Sequence, residues 1–240
     1  MMKQKISKKM ARKRKTRKIM RILIRILFLT IIVFSVGFIG LLLKHYFGID
    51  LAKGFMYRPE IVDIVLDPGH GDFDPGANVD DVLEKNITLE IAEKTKILLE
   101  NAGYKVALTR EQDQYLELGE RAEFANERKA KIFVSIHCNS SEDGAGKGIE
   151  IFYSEQKQQE DLLLAEQLQN HLIQQTSAKN RDIKSAEYSV LVRSSMPAVL
   201  IEVGFLTNSE ERILLTEEEY QQKIAIGLLE GIEAYFTAIE

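Results

Sequence analysis

Four side chains in this sequence stand where apolar segments break, and their types belong to hydrolytic metal chemistry. In IVLDPGHGDFDPGA, which begins at Ile64, an apolar run ends at Asp67 in a glycine-rich turn that presents His70, one of four histidines in the chain. Such a turn uses the glycines and the proline but has no need of an imidazole. VSIHCNS closes a second apolar run with His137, and AVLIEVGF carries Glu202 inside a third. Glu84 opens EKNITLEIAEKTKILLEN, a stretch with helical periodicity.

Taken one at a time, each has an ordinary structural reading. His70 is then a turn residue, His137 a hydrogen-bonded core histidine, and Glu84 an acid favoured by the helix dipole. Glu202 resists that treatment, because a carboxylate between PAVLI and VGFL is costly to bury without a partner. Taken together, two histidines and one carboxylate form the ligand set of a hydrolytic zinc centre with a position left for water. Zinc acidifies that water and polarises a carbonyl, while a second carboxylate off the metal moves the proton to the leaving nitrogen. The count suits both jobs, but spacing leaves Glu84 and Glu202 interchangeable between them.

The elements that must position these groups alternate between strand and helix. Strands are expected over 61–67, 105–109, 132–137, 148–153, 189–192 and 198–202, and helices over 84–101, 118–129, 157–175 and 217–236, with a short one at 210–215. The helix from Glu84 is expected to turn Ile87, Leu89, Ile91, Ile97, Leu98 and Leu99 towards the core. Several strands are almost wholly apolar, as when both faces of a sheet are covered. The fold class is therefore α/β, one domain with a mainly parallel or mixed sheet flanked by helices. Sites in such sheets form outside the carboxyl ends of the strands, where His70, His137 and Glu202 all fall.

Charge divides the chain into two unlike parts. Residues 1–25 hold twelve Lys or Arg and no acid. Thirteen of the 32 basic residues lie at or before Lys44, which leaves nineteen against all 36 acids beyond it, a balance of about −17. Between the parts, residues 26–43 run eighteen residues without a charge, about 27 Å of helix and close to the bilayer hydrocarbon. The apolar core is longer than that of a cleaved signal peptide, and SVG lies within it rather than after it. The expectation is an uncleaved signal anchor at 26–43, a basic cytoplasmic segment at 1–25, and an extracytoplasmic remainder, by the positive-inside rule. Abutment on a membrane span favours anionic lipid over nucleic acid as the partner of KKMARKRKTRK. Residues 44–60 form a tether of about 55–60 Å at full extension, ahead of the catalytic domain at 61–240.

Cys138 is the only cysteine, so no intramolecular disulfide braces the fold. Strand alternation turns it away from the side of His137 and into the core. His171 and His45 are read as bystanders. Asp67 has two readings, a partner for a ligand histidine or a turn-forming residue before the proline. Arg110, Arg121 and Asn126 are read as loop braces rather than substrate contacts, and Asn139 as a rim residue.

The motifs IVLDPGHGDFDPGA, LEKNITLEIA, LTREQDQYLELGERAEFAN, VSIHCNS, GIEIFY and VLVRSSMPAVLIEVGFLTNSEE, in that order, resemble those of the zinc-dependent N-acetylmuramoyl-L-alanine amidases. The resemblance covers about residues 61–240. It implies a six-stranded sheet with flanking helices, one Zn2+ per domain held by His70, Glu84 and His137, and Glu202 as the catalytic glutamate. It also implies hydrolysis, in peptidoglycan, of the amide between the lactyl group of N-acetylmuramic acid and L-alanine. Asp72 departs from the pattern where a second glycine is common. Two other functions fit the same residues: a different zinc peptidase of the wall, and a non-catalytic wall-binding scaffold. No wall-binding repeat appears after the domain, which leaves the membrane segment as the expected localising device. The residues name no activator protein, and the ten between His137 and Gly148 are too few and too polar for a helix covering the site. The groove is expected to be open.

Overall fold

The computed structural model describes residues 20–39, 41–42, 59–156 and 159–239. Most of the basic segment, most of the tether and His45 lie outside them. Contacts divide the chain into two units, Met1–Arg58 and Pro59–Glu240. In the first, α1 (Met20–Ile39) is mostly apolar and long enough to cross a membrane, and it begins six residues before the expected span. Arg21 and Arg25 fall within its first turns, near one end, where long side chains reach a headgroup layer.

The second unit is a six-stranded mixed sheet between helices. Its strands are β1 (Ile64–Pro68), β4 (Val106–Leu108), β5 (Ile132–Asn139), β6 (Ile149–Tyr153), β7 (Asn180–Ser185) and β8 (Ala198–Phe205), in the order β4-β1-β5-β8-β6-β7. Neighbours run parallel except β6 and β8, which are antiparallel. β2 (Asn78–Val79) and β3 (Val82–Leu83) form a separate small hairpin.

Period-two alternation sorts the strand residues into two cores. Ile64, Leu66, Ile132, Val134, Ile136, Val199 and Ile201 face a layer built from α2 (Glu84–Asn101), α4 (Gln159–Thr176) and α7 (Glu218–Ile239). Val65, Phe133, Ala198 and Leu200 face the opposite side, under α3 (Leu118–Glu127) and α5 (Ser189–Arg193). The short α6 (Ser209–Thr216) is capped by Asn208, whose side chain accepts from the N–H groups of Glu210 and Glu211.

Local structure departs from expectation at four places. The segment expected as a strand at 189–192 is the helix α5, because one turn suffices to bury Val190 and Leu191 while Val192 stays exposed. β7 has no apolar alternation and was not expected; it forms by backbone pairing to β6 at the edge of the sheet. On α2, Ile97 is 58% exposed, because its buried positions follow 84, 87/88, 91/92, 95 and 99 and leave Ile97 on the outer side. The hairpin of β2 and β3 was likewise unforeseen; it delivers the chain directly into Glu84.

Candidate metal centre and active site

Each of the four singled-out residues arrives on a different element. His70 sits in the loop after β1 with a left-handed backbone, φ 62°. Glu84 is the first residue of α2, and His137 and Glu202 lie on β5 and β8 as direct partners in the parallel register. One ligand atom from each of His70, Glu84 and His137 falls within 4.8 Å of the others.

Glu84 is the hub of the cluster. Its Oε1 lies 3.0 Å from both His70 Nε2 and His137 Nδ1 and accepts the Cys138 N–H at 2.9 Å, while Oε2 accepts the Ala77 N–H at 2.8 Å. Burial alone would raise its pKa, but the bonds from His137 and His70 outweigh burial and hold it far below the usual carboxylate range. For His70, burial opposes the charge; Glu84 and then Asp74 overcome it and hold the pKa above the usual imidazole value. Gly76 leaves the room this requires: it has φ +65°, and a Cβ there would come within 2.5 Å of Glu84 Oε2 and 2.6 Å of the His70 ring.

Glu202 differs from Glu84 in every respect that matters for proton transfer. Its Oε2 is enclosed and has no hydrogen-bond partner. Burial pushes its pKa up to about 7; His137 opposes the rise, and repulsion from Glu84 and Glu150 adds to it. A carboxylate poised near neutral pH serves a general base and acid far better than an ordinary one.

The cavity in front of these groups measures about 340 Å³ and is lined by His70, His137 and Glu202, with Tyr115, Leu118 and Tyr188 on its flanks. No helix forms between β5 and β6, where the chain makes a turn held by Ser141, whose N–H donates to Thr207 Oγ1. The expectation of an uncovered groove agrees with this loop.

The remaining polar residues fall into place. Asp67, wholly buried, accepts from Thr109 Oγ1, Ser135 Oγ and Arg121 Nη1, so it braces the strand end instead of orienting a histidine. Arg121 also donates to the carbonyls of Pro68 and His70, and Arg110 to those of Pro68 and Gly69. Both therefore act as loop braces, although Arg121 also touches the cavity wall. Asn126 ties α3 to Ser195. Cys138 lies in the core, and burial, then nearby carboxylates, push its thiol pKa well above the usual value. His171 bonds back to the Gln167 carbonyl within α4. The residue that went unnoticed is Asp74, whose Oδ2 accepts from His70 Nδ1 at 2.8 Å. Its signal was present in the sequence, an Asp four residues after the histidine in the same turn.

The donor set fits zinc: two imidazoles and a carboxylate from three separate elements, with Asp74 supporting one ring from behind and an unpartnered carboxylate beside them. The sequence profile of N-acetylmuramoyl-L-alanine amidases matches residues 64–234.

The chain belongs to the N-acetylmuramoyl-L-alanine amidase family.

It is thus a peptidoglycan amidase, of a family in which zinc dependence is general. The amidase is 34% identical over 174 residues to the N-acetylmuramoyl-L-alanine amidase LytC of Bacillus subtilis, covering 72% of this chain and 35% of LytC. The chain thus spans about a third of that relative's length. Its fold resembles that of the amidase from Clostridium difficile 630, with TM-score 0.73, 32% identity, and coverage of 75% of this chain and all of the other. The CwlD amidase of Clostridioides difficile, solved in complex with the GerS lipoprotein, gives TM-score 0.70 at 37% identity over 74% of this chain and 99% of CwlD. The amidase carries one N-terminal apolar helix with the length and composition of a membrane anchor or a signal sequence.

Proposed function

We propose that His70, Glu84 and His137 hold a single zinc ion and that Glu202 is the catalytic carboxylate in hydrolysis of the amide between N-acetylmuramic acid and L-alanine. The observation that carries this reading is the pairing of a compact His–Glu–His cluster with a buried, unpartnered Glu202 Oε2 in one cavity. Zinc in that cluster supplies Lewis-acid polarisation of the lactyl carbonyl and eases ionisation of water.

The protein's own groups do the rest. The cavity receives the lactyl carbonyl beside His70 and His137, with Arg121 holding the His70 carbonyl and hence the turn in position. Glu202, deprotonated, takes a proton from the attacking water as its oxygen bonds to the carbonyl carbon. Glu202 then gives that proton to the L-alanine nitrogen as the carbon–nitrogen bond breaks, leaving a muramic acid carboxyl group and the free amine of the stem peptide, between which the remaining acidic proton passes through solvent. The partnerless Oε2 suits this exchange, since no protein donor competes for it. Asp74 holds a proton on His70 Nδ1, which would leave the Nε2 lone pair free for the metal.

The same reading assigns the chain as a basic cytoplasmic segment at 1–25, an uncleaved membrane anchor around 26–43 that the helix from Met20 extends, a tether at 44–60 and a catalytic domain at 61–240. The excess of Lys and Arg before the apolar helix supports a cytoplasmic N-terminus and an extracytoplasmic domain. A lipoprotein partner of the kind seen with CwlD would act on an amidase whose 140–148 segment holds no covering helix to displace.

Mass spectrometry of digested peptidoglycan tests the reaction: whole stem peptides must appear alongside glycan of unbroken length. Peptide fragments cut within the stem would instead indicate a wall peptidase, and no turnover by the zinc-loaded domain would indicate a scaffold.

A further inference from the structure

The loop that carries His70 also carries Phe73, which is 73% exposed. Its ring does not stand alone. Tyr115, from the segment before α3, lies against it with ring centroids 4.3 Å apart and planes inclined by 32°. Tyr115 in turn lines the cavity that holds His70, His137 and Glu202. The two rings therefore continue the wall of the reaction cavity outward on one flank.

Polar contacts pin this pair in place. The Asp72 N–H donates to Asp113 Oδ1 at 2.6 Å, and Lys85 Nζ donates to both the Asp72 carbonyl and Asp113 Oδ2 at 2.7 Å. Lys85 springs from the first turn of α2, next to Glu84, and its side chain is only 11% exposed. Gly71 permits the two loops to meet: with φ +138°, it would bring a Cβ within 2.0 Å of the Gln114 carbonyl oxygen. An apolar ring held in water by three polar residues gains nothing for folding from its exposure. A rigid aromatic surface is what a ligand with an apolar face requires.

Glu150 pairs with Glu202 across β6 and β8 and is surrounded by Asn139, Arg181 and Lys184. Two carboxylates there face two cations, so the cluster is balanced in charge. Across the scissile amide the substrate has a neutral sugar on the acyl side and a carboxylate-bearing peptide on the amine side, and of the two the sugar is the half that fits an apolar platform.

Building on the function proposed above, we propose that Phe73 and Tyr115 form a sugar-binding platform, on which the C–H face of a pyranose ring of the glycan strand stacks. The platform fixes the direction of the substrate: the glycan lies over the aromatic pair, and the stem peptide leaves the amide on the side away from it. It also gives Asp72 a task, since its N–H and carbonyl are the points at which the Lys85–Asp113 clamp grips the loop.

The test compares two substrates with the same lactyl–L-alanine amide, a disaccharide muropeptide and a lactyl-peptide without sugar. Phe73→Ala should lower kcat/KM for the muropeptide about tenfold more than for the sugar-free compound, chiefly through KM, and Phe73→Trp should restore it. Equal losses on both substrates, or no loss on either, overturn the platform. A second measurement does not depend on turnover. The zinc-loaded Glu202→Gln protein is titrated with peptide-stripped glycan, and adding Phe73→Ala should weaken binding about tenfold. Unchanged glycan binding rejects the platform, including the case in which Phe73→Ala impairs only the response to an added lipoprotein. If the wild-type protein cleaves neither amide while glycan binding still falls with Phe73→Ala, the proposed hydrolysis fails and the platform stands.

Discussion

His137 and Glu202 face one another across adjacent parallel strands, in register, yet only His137 hydrogen-bonds to Glu84. Glu202 is left with an enclosed oxygen and no partner, and burial, tempered by His137 and reinforced by Glu84 and Glu150, raises its pKa to about 7 from 4.5. In the metal-free domain the folded state thus binds this proton more tightly than the unfolded chain. The resulting stability is complete below pH 4.5 and is lost as pH rises through 7. Replacement by glutamine removes the dependence. In chelator, the unfolding free energy of Glu202→Gln relative to wild type should rise between pH 4.5 and 8 by something on the order of 3 kcal/mol, read from urea midpoints. A flat difference would mean that Glu202 titrates as an exposed acid does.

The two glutamates should separate cleanly by metal content. Glu202→Gln should keep zinc and lose turnover by on the order of 10²–10⁴-fold, as for a missing general base. Glu84→Gln, like His137→Ala, should lose most of the metal. Elemental analysis beside an activity assay decides the matter, and the reverse pattern would exchange the two roles.

Why three of the four residues could be found without coordinates is physical. A buried apolar run has no use for a lone ionisable side chain, and His70, His137 and Glu202 each break one, His70 just after β1 and the other two inside β5 and β8, which run past the expected ends at 137 and 202 to Asn139 and Phe205. Spacing could not divide the glutamates, because their difference lies in partners: Glu84 meets four donors and Glu202 Oε2 none. β7 was illegible, since NRDIKS has no apolar face and is a strand only through its pairing to β6. The sequence SVLV in α5 misled for the opposite reason: β-branched residues favour strands, but tertiary burial of two side chains overrode that preference.

Asp74 should matter through His70. Its carboxylate accepts from Nδ1 at 2.8 Å, and removing a partner of that kind costs roughly 10–100-fold in metal affinity or activity. Asp74→Ala should therefore weaken zinc binding in a chelator competition while the domain stays folded by circular dichroism. Undiminished affinity would show that the surrounding loop alone orients the ring.

Arg121 holds the turn from the other side. It pairs with Asp67 at 2.9 Å in a fully buried setting and reaches the carbonyls of Pro68 and His70. Arg121→Met strands the Asp67 carboxylate with only Thr109 and Ser135, and breaking such a pair typically costs about 3–5 kcal/mol. Loss of stability should be accompanied by loss of zinc, because the His70 backbone is freed at the same time. A drop in activity at unchanged stability would assign Arg121 to the substrate instead.

The segment between β5 and β6 yields the last prediction. A helix able to cover the metal centre needs several turns and an apolar stripe to dock them. Residues 140–148 make turns only, with Ser141 bonded to Thr207 and the Gly146 N–H donating to Ser141 Oγ. None of residues 140–148 lines the cavity of His70, Tyr115 and Glu202. Residues 58–240, purified and loaded with zinc, should therefore cleave peptidoglycan with no added protein, and small zinc-binding inhibitors should block the reaction. Shortening the loop by deletion of Asp143 and Gly144 should leave turnover within a few fold of wild type. If every peptidoglycan tested resists until a partner is supplied, and the inhibitors also fail to bind, the cavity is closed in solution by some other element.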